Sequence, residues 1–257
     1  MRVIGIIPAR MASSRFPGKP LAKIHGIPMV GHCYFRSKMC PLMDEVYVAT
    51  CDQVVCDYVA GIGGQAIMTA DTHERASDRA AEAMLKAEAA SGKKTDIVVM
   101  IQGDEPMVTP EMLAQAIEPM RKDPSINVLN LMGDIITREE HDDPNEVKVV
   151  VDGKNDAIYF SREPIPSWKK GAKHVPMKKQ ICIIPFRRDF LLKFNALPQT
   201  PLEIIESVDM LRVIENGYKV RMVPASVETY SVDTPEDLRE VEEAMQGDAL
   251  LKRYASH

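Results

Sequence analysis

Three cations follow closely near the start of the chain, Arg10, Arg15 and Lys19, set among Ser13, Ser14, Pro17, Gly18 and Pro20. Arginine forks over oxygen atoms and lysine acts as a point charge, so fixed cations in one loop suit a polyphosphate. A merely solvated basic loop has no need of Pro17-Gly18-Lys19-Pro20 to hold its shape. Far along the chain stand two acids. Asp104 lies just past an apolar run, in Gln102-Gly103-Asp104-Glu105-Pro106, and Asp233 stands just ahead of Thr234-Pro235-Glu236-Asp237. Mg²⁺ takes one or two carboxylates besides phosphate oxygens and waters. Asp104 and Asp233 are therefore candidate ligands of one metal. Their plain alternatives are a turn residue and a helix-entry acid near the positive end of the helix dipole. Two familiar phosphate loops are excluded: Pro20 stands where a Walker loop needs Ser or Thr, and there is no Gly-x-Gly-x-x-Gly.

These residues need a scaffold that brings distant loops together. Val3 to Ile7 reads as a buried parallel strand, and in an open α/β sheet ligands sit beyond the carboxyl ends of such strands. Pro28 to Met39 has a helical pattern, Glu45 to Thr50 is a strand, Val54 to Ala60 a short helix, and Gln65 to Met68 another strand. Arg79 to Ala90 carries an apolar helical stripe, Asp96 to Ile101 is a strand, and Thr109-Pro110 opens a helix that Pro119 should end. This alternation predicts an α/β, doubly wound, mostly parallel sheet.

The second half has another rhythm. Val128 to Met132, Val147 to Val151 and Ala157 to Phe160 are strands, the last two joined by Asp152-Gly153-Lys154-Asn155, which suggests a smaller antiparallel lobe. Lys169, Lys170, Lys173, Lys178 and Lys179 make a basic segment read as a mobile loop, and Gln180 to Phe186 as a strand. Capping boxes at Thr200 and Thr234 open a helix running to Gly217 and the C-terminal helix, with a strand over Tyr218 to Val223 between them. One domain, 1–257, with an inserted antiparallel dimerisation and acceptor lobe around 145–190, fits this order.

Composition narrows the function classes. A net charge of −5 argues against general nucleic-acid binding, so cationic chemistry must be local. No apolar run approaches the ~20 residues of a membrane span, and the N-terminal run is too short for a signal peptide. Five cysteines without metal-type spacing read as reduced thiols of a cytoplasmic protein, and scattered histidines make a zinc site improbable.

The opening loop, Pro8-Ala9-Arg10 through Ser14-Arg15 to Pro17-Gly18-Lys19-Pro20-Leu21, resembles the nucleotide-binding signature of the sugar-activating cytidylyltransferases. Within them it is most similar to the 3-deoxy-manno-octulosonate (Kdo) cytidylyltransferase, or CMP-Kdo synthetase, family. Four further segments match that family in order: Gln102 to Pro106, Pro144 to Lys148, Tyr159-Phe160-Ser161-Arg162, and Val232 to Leu238. The resemblance implies a nucleotide-diphospho-sugar transferase-like fold and a cytoplasmic, Mg²⁺-dependent enzyme serving lipopolysaccharide biosynthesis. It further implies that Lys19, Arg10, Arg15 and Asp104 carry catalysis, and that Asp104 and Asp233 hold Mg²⁺. Nucleotide contacts would come from Pro8, Ala9, Arg10, Ser14, Arg15, Lys19, Thr69, His73, Ala76, Ser77, Arg79, Gln102 and Asp104. The acceptor would meet Gln102, Arg162, Gln180, Ile184, Asp209 and Met210.

Departures fall in two places. Arg75-Ala76-Ser77 replaces the family's Ser-Gly-Thr near the base, removing a permissive glycine. Gln180, Ile184 and Met210 replace the family's His, Tyr and Gln on the acceptor side, which removes groups that would grip hydroxyls. The expected reaction is transfer of CMP from CTP to a sugar acid, Kdo or a close variant, with release of pyrophosphate. A different acidic acceptor, such as another sugar acid or a small phosphonate or phosphate ester, is the alternative within enzymes. A non-catalytic nucleotide-binding homologue is the alternative outside them. The family's habit suggests a homodimer with neither nucleic-acid nor membrane partners.

Overall fold

The computed structural model describes residues 1–12, 16–225 and 230–255. The first half runs β1 Val3–Ala9, the small hairpin β2 Lys23–Ile24 and β3 Ile27–Pro28, α1 Met29–Lys38, β4 Glu45–Thr50, α2 Gln53–Gly61, β5 Ala66–Met68, α3 Ala76–Ser91, β6 Ile97–Ile101 and α4 Pro110–Lys122. There follow β7 Leu129–Asp134, α5 Arg138–Asp142, β8 Lys148–Val151, β9 Ala157–Ser161, β10 Lys178–Ile181 and β11 Ile183–Arg187. The chain closes with α6 Arg188–Ala196, α7 Pro201–Glu206, α8 Met210–Glu215, β12 Arg221–Pro224 and α9 Pro235–Ala244.

Among the described residues these strands build two five-stranded sheets. The first has the order β11-β6-β1-β4-β5 and is parallel except for β11. Its central strands are apolar from end to end because both faces are covered. Val30 and Cys33 of α1, Val59 of α2 and Leu113 and Ile117 of α4 pack on one side. Ala80 and Met84 of α3 with Leu191 and Phe194 of α6 pack on the other. The second sheet, β12-β7-β10-β8-β9, is antiparallel except where β12 runs beside β7. The antiparallel hairpin β8–β9 thus joins β10, β7 and β12 in one layer.

Four local expectations change. Gln180 to Phe186 is not one strand: β10 belongs to the second sheet and β11 to the first, and the chain crosses at Cys182. There the Cys182 N–H donates to Glu105 Oε1 (3.0 Å) and its carbonyl accepts from the Gln102 N–H (3.4 Å). Pro119 does not end α4, which continues to Lys122 because Met120 stays buried in the same apolar stripe as Leu113 and Ile117. Proline lacks only one intrahelical donor, and this packing outweighs that loss. The helix expected from Thr200 to Gly217 breaks into α7 and α8 at Ser207, whose φ of 54° lies in the left-handed region. Finally, Lys178 and Lys179 are not in a loop but in β10, and Lys179 is buried between Glu140 (2.6 Å) and Glu146 (3.1 Å).

Candidate active site

Two cavities meet beyond the carboxyl ends of β1 and β6. The first, of about 320 Å³, is lined by Pro8, Ala9 and Arg10 from the end of β1, Lys19, His73 to Ala76 and Arg79 at the start of α3, and Gln102 to Asp104 after β6. Each lining segment has a local cause. The Met11 N–H donates to Asp52 Oδ2 (2.7 Å), which turns the chain after Arg10 toward the start of α2. Gly18, at φ 78°, donates its N–H to the Met11 carbonyl (3.0 Å) and delivers Lys19 to a single helical turn. A Cβ on Gly103 would stand 2.7 Å from the Pro8 carbonyl oxygen, so only glycine lets the loop after β6 close against the end of β1.

Lys19 stands between the two sequence-distant acids. Its Nζ donates to Asp104 Oδ2 (2.7 Å), to the Val232 carbonyl (2.8 Å) and to Asp233 Oδ1 (3.3 Å). The two segments are tied as well: the Val232 N–H donates to the Asp104 carbonyl at 2.9 Å. Asp233 is fixed from behind by the predicted capping box of α9, in which Asp237 Oδ2 accepts from the Asp233 and Thr234 N–H groups, each at 2.8 Å. Two half-exposed carboxylates thus converge on one cationic point with oxygen donors only. Mg²⁺ asks for that donor set, completed by phosphate and water oxygens. Among the described residues no third acid, histidine or cysteine joins them.

Arg79 is buried, and its Nη1 donates to Thr69 Oγ1 and to the Ala70 carbonyl (3.2 Å). None of the described residues partners its Nη2, although the side chain lines the cavity. A buried guanidinium nitrogen without a partner is expensive unless a ligand supplies the acceptor. His73 pairs with Glu82. Burial alone would raise the Glu82 carboxyl, but hydrogen bonds from Lys86, the Ala70 N–H and His73 outweigh it and hold it at about 2.

The second cavity, of about 540 Å³, opens on the side of the second sheet and shares Glu74, Arg75, Ala76, Gln102 and Asp104 with the first. Asp233, Arg162, Gln180, Ile184 and Asp209 line it. The left-handed Ser207 that breaks the helix puts Ser207, Val208 and Asp209 in its wall. Arg162 is built into that wall, since each of its three nitrogens donates to a backbone carbonyl: Glu206 (2.7 Å), Pro144 (2.8 Å) and Ser207 (3.5 Å). Gln180 Nε2 donates to Asn130 Oδ1 at 2.6 Å. Glu105, also in the wall, is buried, and burial followed by the charge of Asp104 pushes its carboxyl up to about 7.

The structure brings most of the predicted site together and corrects part of it. Pro8, Ala9, Arg10, Lys19, His73, Ala76, Arg79, Gln102 and Asp104 line the first cavity as one surface. Thr69 and Ser77 do not: both are buried behind the wall, Thr69 bracing Arg79 and the Ser77 carbonyl accepting from Asn195 (2.9 Å). Met210 does not reach the acceptor side either. As the first residue of α8 it points into the core beside Leu211 and Val213. Ser14 and Arg15 lie outside the described residues. Sequence reasoning overlooked Arg75 as a contact residue, along with Glu105, Glu146 and Gln199 in the second cavity. For Arg75 the signal was present, a cation replacing a small hydroxyl in an otherwise matched segment.

Comparison with known proteins shows the family. The family profile described as cytidylyltransferase matches residues 4–222. A 3-deoxy-manno-octulosonate cytidylyltransferase of Geobacter metallireducens is 43% identical over 255 residues, covering 95% of this chain and 98% of the relative. One of the same name from Syntrophotalea carbinolica is 40% identical, with 96% of this chain and all of the relative covered. Among solved structures, a CMP:2-keto-3-deoxy-manno-octonic acid synthetase complexed with CTP superposes with a TM-score of 0.89 at 38% identity, covering 96% of this chain and 100% of the other. The chain belongs to the cytidylyltransferase family, and its fold is that of the superposed synthetase.

Proposed function

We propose that this protein transfers CMP from CTP to a 3-deoxy-2-ulosonic acid, with 3-deoxy-manno-octulosonate as the first acceptor to test, and releases pyrophosphate. The observation that carries the reading is the meeting of Lys19, Asp104 and Asp233 at the seam between two cavities. One cavity has cationic walls suited to a triphosphate, with Arg79 offering an N–H to an acceptor atom of the base. The other would hold the sugar acid. Its hydroxyl attacks the α-phosphorus in line and gives up its proton to solvent, the new P–O bond forms as the bond to the pyrophosphate oxygen breaks, and no covalent enzyme intermediate is needed. Lys19 and Arg10 stabilise the charge that builds on the phosphate oxygens, and the two walls orient donor and acceptor. Asp104 and Asp233 would hold Mg²⁺, which when bound neutralises phosphate charge and orients the triphosphate. A homodimer in the cytoplasm, with neither nucleic acid nor membrane as partner, belongs to the same reading.

The test is pyrophosphate release with CTP, Mg²⁺ and 3-deoxy-manno-octulosonate beside a control lacking acceptor. Acceptor-dependent release is the expected result. Binding of CTP with no release on any 3-deoxy-2-ulosonate or other acid in a panel would overturn the reading in favour of a nucleotide-binding homologue.

A further inference from the structure

The second cavity poses an electrostatic problem for an acidic acceptor. Glu74, Asp104, Glu105, Glu146, Asp209 and Asp233 line it, against Arg75 and Arg162. Arg162 spends its nitrogens on carbonyl oxygens of the wall. Arg75 differs in place and in partners. Among the described residues it is the one cation lining both cavities, on the same seam as Gln102 and Asp104. In a 2-ulosonic acid the carboxylate sits on the carbon that bears the attacking hydroxyl. An acceptor poised for in-line attack therefore brings its carboxylate to that seam.

Arg75 is held there by side chains, not by backbone. Its Nη1 donates to Asp209 Oδ1 (2.5 Å) and to Glu203. With its amide oxygen turned inward, Gln199 accepts from both Arg75 Nη2 and Arg75 Nε (2.9 Å), so an incoming carboxylate must displace this neutral partner. Glu203 has a second cationic partner: buried, it also accepts from both Nε (2.8 Å) and Nη2 (2.6 Å) of Arg212. Two guanidiniums therefore face two carboxylates: Glu203 is shared by Arg75 and Arg212, and Asp209 is the more exposed anion paired with Arg75. Asp209 keeps about a third of its side chain exposed, so it can yield its place to a competing carboxylate.

We propose that Arg75 is the acceptor-reading cation of this protein: it receives the carboxylate of the sugar acid, while Gln199 and Asp209 hold the guanidinium aimed at the seam until that carboxylate arrives. The inference rests on the acceptor's being a 2-ulosonic acid. It makes Arg75 a specificity-determining residue at a position where the resembling family carries a small hydroxyl. Bidentate Arg–carboxylate pairing discriminates sharply against a neutral isostere, because the isostere leaves the fork unpaired.

The experiment compares kcat/KM for 3-deoxy-manno-octulosonate and for its carboxamide, in the wild type and in Arg75→Ala, with Arg75→Lys as the conservative variant. The wild type should prefer the carboxylate by tenfold or more. Arg75→Ala should lose at least tenfold on the carboxylate, bring the two substrates to within threefold of each other, and leave the KM for CTP within threefold of wild type. Arg75→Lys should restore part of the preference. Arg75→Gln provides the same comparison should the alanine variant not fold. An unchanged carboxylate preference in the neutral variants, a wild type that does not distinguish the substrates, or a rise in the KM for CTP matching that for the acceptor would overturn the inference while leaving the reaction standing. A wild type that turns over neither substrate nor any other 3-deoxy-2-ulosonate overturns the proposed reaction, and the inference with it.

Discussion

Replacing Lys19 by methionine keeps the length and most of the apolar stem of the side chain but removes the charge that touches Asp104, the Val232 carbonyl and Asp233. Two consequences have different sizes. In the resting protein the lost pairs are half-exposed, so the stability change should stay near 1 kcal/mol, or about 2–4 °C in Tm for a chain of this length. In the reaction the loss is larger. A fixed charge about 4 Å from a developing phosphate charge contributes roughly 4 kcal/mol at an effective dielectric constant near 20. Part of that is already spent holding Asp104 and Asp233. The remainder, about 3 kcal/mol, corresponds to roughly a 10²-fold fall in kcat. Arginine should rescue poorly, since a planar fork cannot place one nitrogen on three oxygens that converge within 2.7–3.3 Å of a point. The assay is pyrophosphate release under saturating CTP, Mg²⁺ and acceptor, with CTP affinity and thermal melting measured on the same samples. A Lys19→Met protein that melts normally and keeps more than a tenth of wild-type kcat would refute the reasoning.

Other substitutions separate positioning from stability. Gly103→Ala puts a methyl 2.7 Å from the Pro8 carbonyl and must shift Asp104; turnover should fall at least tenfold for a destabilisation of about 1–3 kcal/mol, read by kinetics beside denaturant unfolding. Arg79→Met removes a buried guanidinium whose Nη2 has no partner among the described residues; it gives up the Nη1 bonds to Thr69 and Ala70 at a modest stability cost, whereas the KM for CTP should rise tenfold or more. Unchanged CTP affinity would show that the nitrogen does not meet the nucleotide. Acid should destabilise the protein through His32. Burial, assisted by Arg36 and opposed by the Ile24 carbonyl, lowers this imidazole to about 4 from 6.5. Its folded value lies below its unfolded one, so the unfolded chain takes the proton first and stability falls as pH drops from 6.5 toward 4. Between pH 7 and pH 5 the loss from this group should be about 2 kcal/mol, measured by denaturant titration against a His32→Gln control that lacks the slope.

How much of this was legible in the sequence follows from where each contact comes from. The first cavity is built from short contiguous runs after β1, ahead of α3 and after β6, whose residue types carry their own geometry. Gly18 must take a positive φ, Gly103 must admit the Pro8 carbonyl, and Thr234 caps α9 so that Asp233 stands just outside it. The turn at Gly18 and the cap of α9 are local, so residue type and spacing sufficed for them, whereas the approach of Gly103 to Pro8 joins two distant segments. What spacing could not supply was the direction in which a side chain leaves its backbone. Thr69 and Ser77 sit in a matched segment and yet turn inward, and Met210, the first residue of α8, is buried in the core.

The second cavity resisted a linear reading for a different reason. Its walls come from at least five separated segments, and two of them exist only because regular structure fails there. The strand break at Cys182 moves the chain from one sheet to the other, and the left-handed Ser207 ends a helix that propensity alone would continue. Both failures are stabilised by partners far away in sequence. Glu105 takes the Cys182 N–H, and Glu206, next to Ser207, accepts from Ser161 Oγ (2.8 Å) and the Arg162 N–H (2.8 Å). The same long-range logic holds Arg75, whose partners lie more than a hundred residues away. A cation that looked like a departure on the nucleotide side thus spends its contacts on the acceptor side. Selectivity can therefore change through Arg75 and its partners Glu203, Asp209 and Gln199, which lie on other segments than the phosphate-handling Lys19.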